Sequence, residues 1–113
     1  MLSQKYIYEG NNAFQVMNQI ESKSSFISDD MIIQRCMIED TYMVSVVMEQ
    51  FFFRTSSYAS CSLCFIGNDH EIKAICTASG AGQGVFNFSL GATKNFFTNA
   101  EKLLLENGFK KMI

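Results

Sequence analysis

The stretch YMVSVVMEQFFFRTSSYASCSLCFIGNDHEIKAICTA, Tyr42–Ala78, decides the fold. Val44, Val46, Met48 and Phe52 share one parity while Ser45 and Glu49 share the other, which predicts a long strand with one buried face. Arg54-Thr55-Ser56-Ser57 then turns the chain. Ala59, Cys61, Leu63 and Phe65 alternate with Ser60, Ser62 and Cys64, and Gly67-Asn68-Asp69 gives a second turn. Ile72, Ala74, Cys76 and Ala78 alternate in the same way with Lys73, Ile75, Thr77 and Ser79. Three strands joined in succession by short turns form an antiparallel meander.

Outward from the meander the signals change period. Gln4–Glu9 alternates around Tyr6 and Tyr8 and ends at Gly10, a short first strand. Ala13, Val16, Met17 and Ile20 recur at helical spacing, and Asn12 with Gln15 has the spacing of a capping box, so a helix is expected over Ala13–Lys23. Ser24–Asp40 follows neither period and predicts one or two short strands with a turn. Beyond Ala78, Gly80-Ala81-Gly82-Gln83-Gly84 breaks the meander, and Val85–Ser89 alternates again up to Gly91. Phe96, Phe97, Ala100, Leu103 and Leu104 then mark a helix over Thr93–Glu106, capped at Asn107-Gly108.

The order β-α-β-β-β-β-α predicts an α+β two-layer sandwich, an antiparallel sheet of four to six strands with two helices on one face. Its core face would carry Val44, Val46, Met48, Leu63, Phe65, Ala74 and Cys76. Its outer face would carry Ser45, Val47, Glu49, Ser60, Ser62, Cys64, Lys73, Ile75 and Thr77.

Composition narrows the class. At 113 residues, 48% apolar and 18% charged, without repeat or linker, the chain reads as a single domain over 1–113. A net charge of -2 lacks the basic surplus of nucleic-acid binders. No apolar run approaches the roughly 18 residues of a membrane span. Met1–Lys5 leads into no signal-peptide apolar region, so export by that route is not expected. In that setting Cys36, Cys61, Cys64 and Cys76 are expected to be reduced thiols of a cytoplasmic protein.

Four features invite a chemical reading. Cys61 and Cys64 have the spacing of a metal or redox pair, but within a strand that spacing points their sulfurs to opposite faces, so no metal and no cofactor is expected. The Gly80–Gly84 segment lacks the spacing of phosphate-binding loops, leaving a bent connection or bare amides offered to a ligand or partner through Gly80, Gly82, Gln83 and Gly84. His70, the single histidine, lies in a turn, and no serine has a nucleophile-elbow context, so a hydrolase finds little support. Glu49 interrupts an apolar strand on its outer parity; were the outer face a groove, it would be the polar anchor, with Lys73 as counterion.

The segments Met48–Arg54, Ala78–Phe88, Gly91-Ala92 and Asn95-Phe96-Phe97 resemble a family of small, uncharacterised, single-domain Firmicutes proteins with a glycine-rich loop after an antiparallel meander. That resemblance implies a bacterial cytoplasmic origin and a shared fold, and it brings no activity. The leading expectation is a non-enzymatic domain that binds a partner or pairs with itself as a homodimer, using the outer sheet face and the Gly80–Gly84 loop. The alternative is a carrier holding a small apolar ligand between helices and sheet. An enzyme with an unrecognised site ranks behind both.

Overall fold

The computed structural model describes residues 1–52, 57–81 and 89–113. Its elements in chain order are β1 (Leu2–Glu9), α1 (Ala13–Ser24), β2 (Asp30–Ile38), β3 (Thr41–Phe52), β4 (Ser57–Gly67), β5 (Glu71–Ala81), α2 (Ser89–Glu106) and β6 (Lys110–Lys111). The strands form one antiparallel sheet in the order β2-β3-β4-β5-β1-β6. The α+β class and the meander β3-β4-β5 are as the sequence implies. β1 closes the topology by inserting between β5 and β6.

Parity sorts the meander's side chains as expected. Tyr42, Val44, Val46 and Met48 of β3, Ala59, Cys61, Leu63 and Phe65 of β4, and Ile72, Ala74, Cys76 and Ala78 of β5 are all buried. Onto them pack Ala13, Met17 and Ile20 of α1 and Phe96, Ala100, Leu103 and Leu104 of α2. Phe14 of α1 rests on Tyr42, with ring centroids 5.2 Å apart. α2 lies across β4, β5 and β1.

Local chemistry explains the joints. Asn68 Oδ1 accepts hydrogen bonds from the backbone N–H groups of His70 (2.8 Å) and Glu71 (3.0 Å), fixing the β4-β5 turn. A Cβ at Gly67 would stand 2.5 Å from the Glu71 carbonyl oxygen, so only glycine fits there. α2 ends in a Schellman motif: Gly108, at φ +91, donates to Leu105 O (3.3 Å) and Phe109 donates to Leu104 O (3.1 Å). The reversed chain then drops Phe109 into the core against Phe65 and Tyr8.

Several sequence expectations need correction. Residues 24–40 hold one nine-residue strand, β2, rather than short pieces. Its turn to β3 is the two-residue link Glu39-Asp40, and Glu39 takes φ +53, a conformation that glycine normally supplies. Asn12 makes no side-chain cap hydrogen bond, so the capping box does not form. α2 starts four residues earlier than its periodicity suggests, taking in Gly91. β5 continues through Gly80, which pairs with Ala59, so the meander breaks later than the first glycine. The expected strand over Val85–Ser89 falls largely outside the described residues, and so do Gly82, Gln83 and Gly84.

Leu63 is fully buried while Ser62, its neighbour, points to the other face. Leu63→Ala should therefore cost about 2–5 kcal/mol and Ser62→Ala within about 0.5 kcal/mol, measured by denaturant unfolding; equal losses would mean the parity is inverted. The Tyr42 hydroxyl is buried without a hydrogen-bond partner among the described residues. Burial, with Asp69 and Glu21 nearby, pushes its pKa up to about 12. The folded state thus holds Tyr42 neutral where the unfolded chain ionises, at about 10. That contribution is intact below pH 10 and is lost as the pH rises towards 12. Tyr42→Phe should leave stability at pH 7 equal or up to about 1 kcal/mol higher and flatten the alkaline fall; a loss above about 2 kcal/mol at pH 7 would reveal a partner for the hydroxyl.

Candidate functional site

Both helices cover the same side of the sheet, and the other side carries the residues of opposite parity. Ile32, Met43, Val47, Phe51, Tyr58, Ile66 and Ile75 all stand there as exposed large apolar side chains, Ile32 at 63% and Ile66 at 52% of full accessibility. The cross-strand register makes them neighbours: Ile32 faces Val47, Met43 faces Ile66 and Phe51 faces Tyr58. The Phe51 and Tyr58 rings stack in a tilted pair, centroids 4.9 Å apart. Cys64 lies in the middle of this face, between Ser45 and Ile75. Ser45, Ser60, Ser62 and Thr77 are interleaved with them on the same face.

Around the patch the polar groups are short or charged. Ser60 and Ser79 hydrogen-bond across β4 and β5 at 3.0 Å, and Ser3 bonds Thr77 at 3.1 Å. These pairings spend those four hydroxyls on each other. A groove of about 430 Å³ crosses one end of it, lined by Met43, Cys64, Ile66, Ile75 and Met112, with Lys5 and Lys73 at its sides.

The sequence-derived site residues are placed as follows. Glu49 and Lys73 are both on the outer face and both exposed. They are not counterions within one chain. Glu49 aligns through Ser60 with Ser79, six residues along β5 from Lys73, so ~20 Å separate them. Gly80 lies in the strand near Glu49's end of the face. Gln34 and Cys36 of β2 border the patch and went unread because the short strands expected over Ser24–Asp40 carried no assigned parity.

The remaining reactive groups serve the core. Cys61 is buried and Cys64 exposed, on opposite sides of β4. The Cys61 and Cys76 sulfurs lie 3.9 Å apart. Their hydrogen bond and their burial push the Cys76 thiol well above its usual range, which keeps it protonated and unreactive. Tyr6 donates to Glu101, whose other oxygen is 3.5 Å from Lys111 Nζ, so one carboxylate ties β1, α2 and β6 together. Burial and that hydrogen bond raise the Tyr6 pKa far above normal. Arg35 of β2 pairs with Glu21 of α1, fastening the sheet's edge to the helix layer. Among the described residues no three His, Cys, Asp or Glu side chains converge as metal ligands, and His70 is exposed. Between sheet and helices the described residues form a packed core that includes Tyr6, Met17, Met48, Phe65 and Phe96.

The geometry thus defines a class: a two-layer α+β domain whose sheet face away from the described helices mixes exposed apolar side chains with short polar and charged ones. The chain belongs to a family of unknown function (DUF6054), whose model matches residues 11–107, from the start of α1 to the end of α2. No curated protein and no solved structure matches it. No helix among the described residues is long and apolar enough to cross a membrane.

The placement of the thiols can be checked directly. A thiol-specific chromogenic reagent should modify Cys36 and Cys64 in the native protein and reach Cys61 and Cys76 only after denaturation. Rapid native reaction of all four would contradict the buried β4-β5 sulfur pair.

Proposed function

We propose that this domain is a non-catalytic self-association module and that its outer sheet face docks on the same face of a second copy. The observation that carries this reading is the set of exposed apolar residues across β2, β3, β4 and β5 on the side that neither α1 nor α2 covers. Size supports a protein-sized occupant. Five strand widths by about eight residues give a face of about 25 × 25 Å, so two copies would bury ~1,200 Å², above the ~1,000 Å² of a specific contact. A small apolar ligand in the groove would leave Ile32 and Val47 in water, whereas a second sheet at about 10 Å covers both. A surface of this kind that matches itself closes as a two-fold dimer. Exposed Cys36 and Cys64 suit a reducing compartment, and we assign the domain to the cytoplasm on that ground.

Sedimentation equilibrium tests the reading. The wild-type protein should be dimeric, and Val47→Asp should be monomeric with an almost unchanged melting temperature, since Val47 contributes nothing to the core. Cys64 is near the centre of the face, so a short bifunctional thiol reagent should link the wild type into dimers and fail with Cys64→Ser. A wild type that remains monomeric at about 100 μM would refute the proposal.

A further inference from the structure

We infer that the two copies stack with their strands crossing near a right angle, the acidic corner of each face lying on the lysine corner of the other. This rests on the face being the self-association surface and specifies its orientation.

Asp30 and Glu49 face each other across β2 and β3 and form one corner of the outer face. Lys5 of β1, Lys73 of β5 and Lys110 of β6 occupy the region diagonally opposite. Among the described residues none of these five takes part in an ion pair. The acidic corner thus holds two carboxylates outside any ion pair, and the lysine region holds three such ammonium groups, with Glu71 and Glu9 one outward position farther along β5 and β1.

A two-fold axis between stacked sheets lies in the plane of the contact and has three simple directions. Set parallel to the strands, it brings Asp30 and Glu49 over the β1 and β5 ends near Ser3 and Ser79. Perpendicular to the strands, it brings them over Cys36 and Met43. On the diagonal it brings them over the lysines. Only the third direction compensates charge, and it turns the strands of one sheet across those of the other, the orthogonal class of sheet packing.

Ideal spacings of ~4.8 Å between strands and ~3.3 Å between residues allow the overlay to be drawn with the axis between Ser62 and Cys64. Glu49 then falls on Lys5 of the second copy, and Asp30 falls over its Ile7, flanked on either side by its Lys73 and Lys110. Val47 meets Ile75, Ile66 falls between Ile32 and Gln34, and Ile32 lies against Lys73, whose aliphatic stem covers it. The outward row of β3 runs along the groove that Cys64, Ile75, Lys5 and Met112 line, which gives that groove an occupant. Glu9 and Glu71, farther along β1 and β5, project past the edge of the opposing sheet and do not oppose the contact.

Charge reversal tests the arrangement, with sedimentation equilibrium as the readout and thermal unfolding as the control for folding. Glu49→Lys and Lys5→Glu should each weaken the dimer about tenfold or more, because each places like charges together twice in a two-fold contact. The combined variant should return to within about threefold of the wild type. Single reversals without effect, or a combined variant as weak as both losses together, overturn the crossed arrangement and leave the dimer standing. A wild type that is monomeric removes the docking reading itself, and the arrangement with it.

Discussion

The structure depends on an imbalance of layers: one six-stranded sheet, two faces, and helices for only one of them. α1 and α2 converge on the same side because β1-α1 and α2-β6 bring both helices back to that side, and the Arg35–Glu21 and Tyr6–Glu101 contacts fasten them there. Everything the sheet presents on its other side must be satisfied by water or by another molecule. Ser60 with Ser79 and Ser3 with Thr77 meet that demand by bonding across strands. Ile32, Val47, Ile66 and Ile75 have no polar atom to pair, and on the proposed reading a second copy covers them.

This imbalance also decides how much could be read from the sequence. β3, β4 and β5 were legible because small or polar groups such as Ser45, Ser60, Ser62 and Thr77 separate their core residues. β2 was not, because Met31-Ile32-Ile33 puts apolar side chains on both faces and so abolishes the alternation. The strand that confuses the pattern is one whose outer side belongs to the proposed interface. The β2-β3 turn was hidden as well, since Glu39 adopts a positive φ without the glycine that would announce it. β6 is too short to have a period, and its pairing with β1 follows from the sharp reversal at Gly108.

For the candidate site, the outer-face parity was legible and its meaning was not. Glu49 and Lys73 are on the face as their parity indicates, yet the relation between them depends on register. A two-strand offset and six residues along β5 separate two charges that linear reasoning placed side by side. Lys5 and Lys110 could not be linked to the site without knowing that β1 and β6 lie beyond β5. The clustering of three lysines at one corner is a product of strand order, and strand order is not a local property of sequence.

The two edges of the sheet are less suited to association than the proposed face. β6 is two residues long and both are lysines, a protected edge. β2 is longer and more apolar, so its open edge could in principle pair with the β2 edge of another copy. Acidic residues stand at both of its ends, however: Asp29 and Asp30 before it, Glu39 and Asp40 after it. An antiparallel β2-β2 pairing centred on Gln34 would set Asp30 of each copy beside Ile38, Glu39 and Asp40 of the other, bringing carboxylates together at both ends. Like charges across paired strands are destabilising. Edge pairing thus meets repulsion twice over, while the outer face offers apolar area in its middle and opposite charges at its corners.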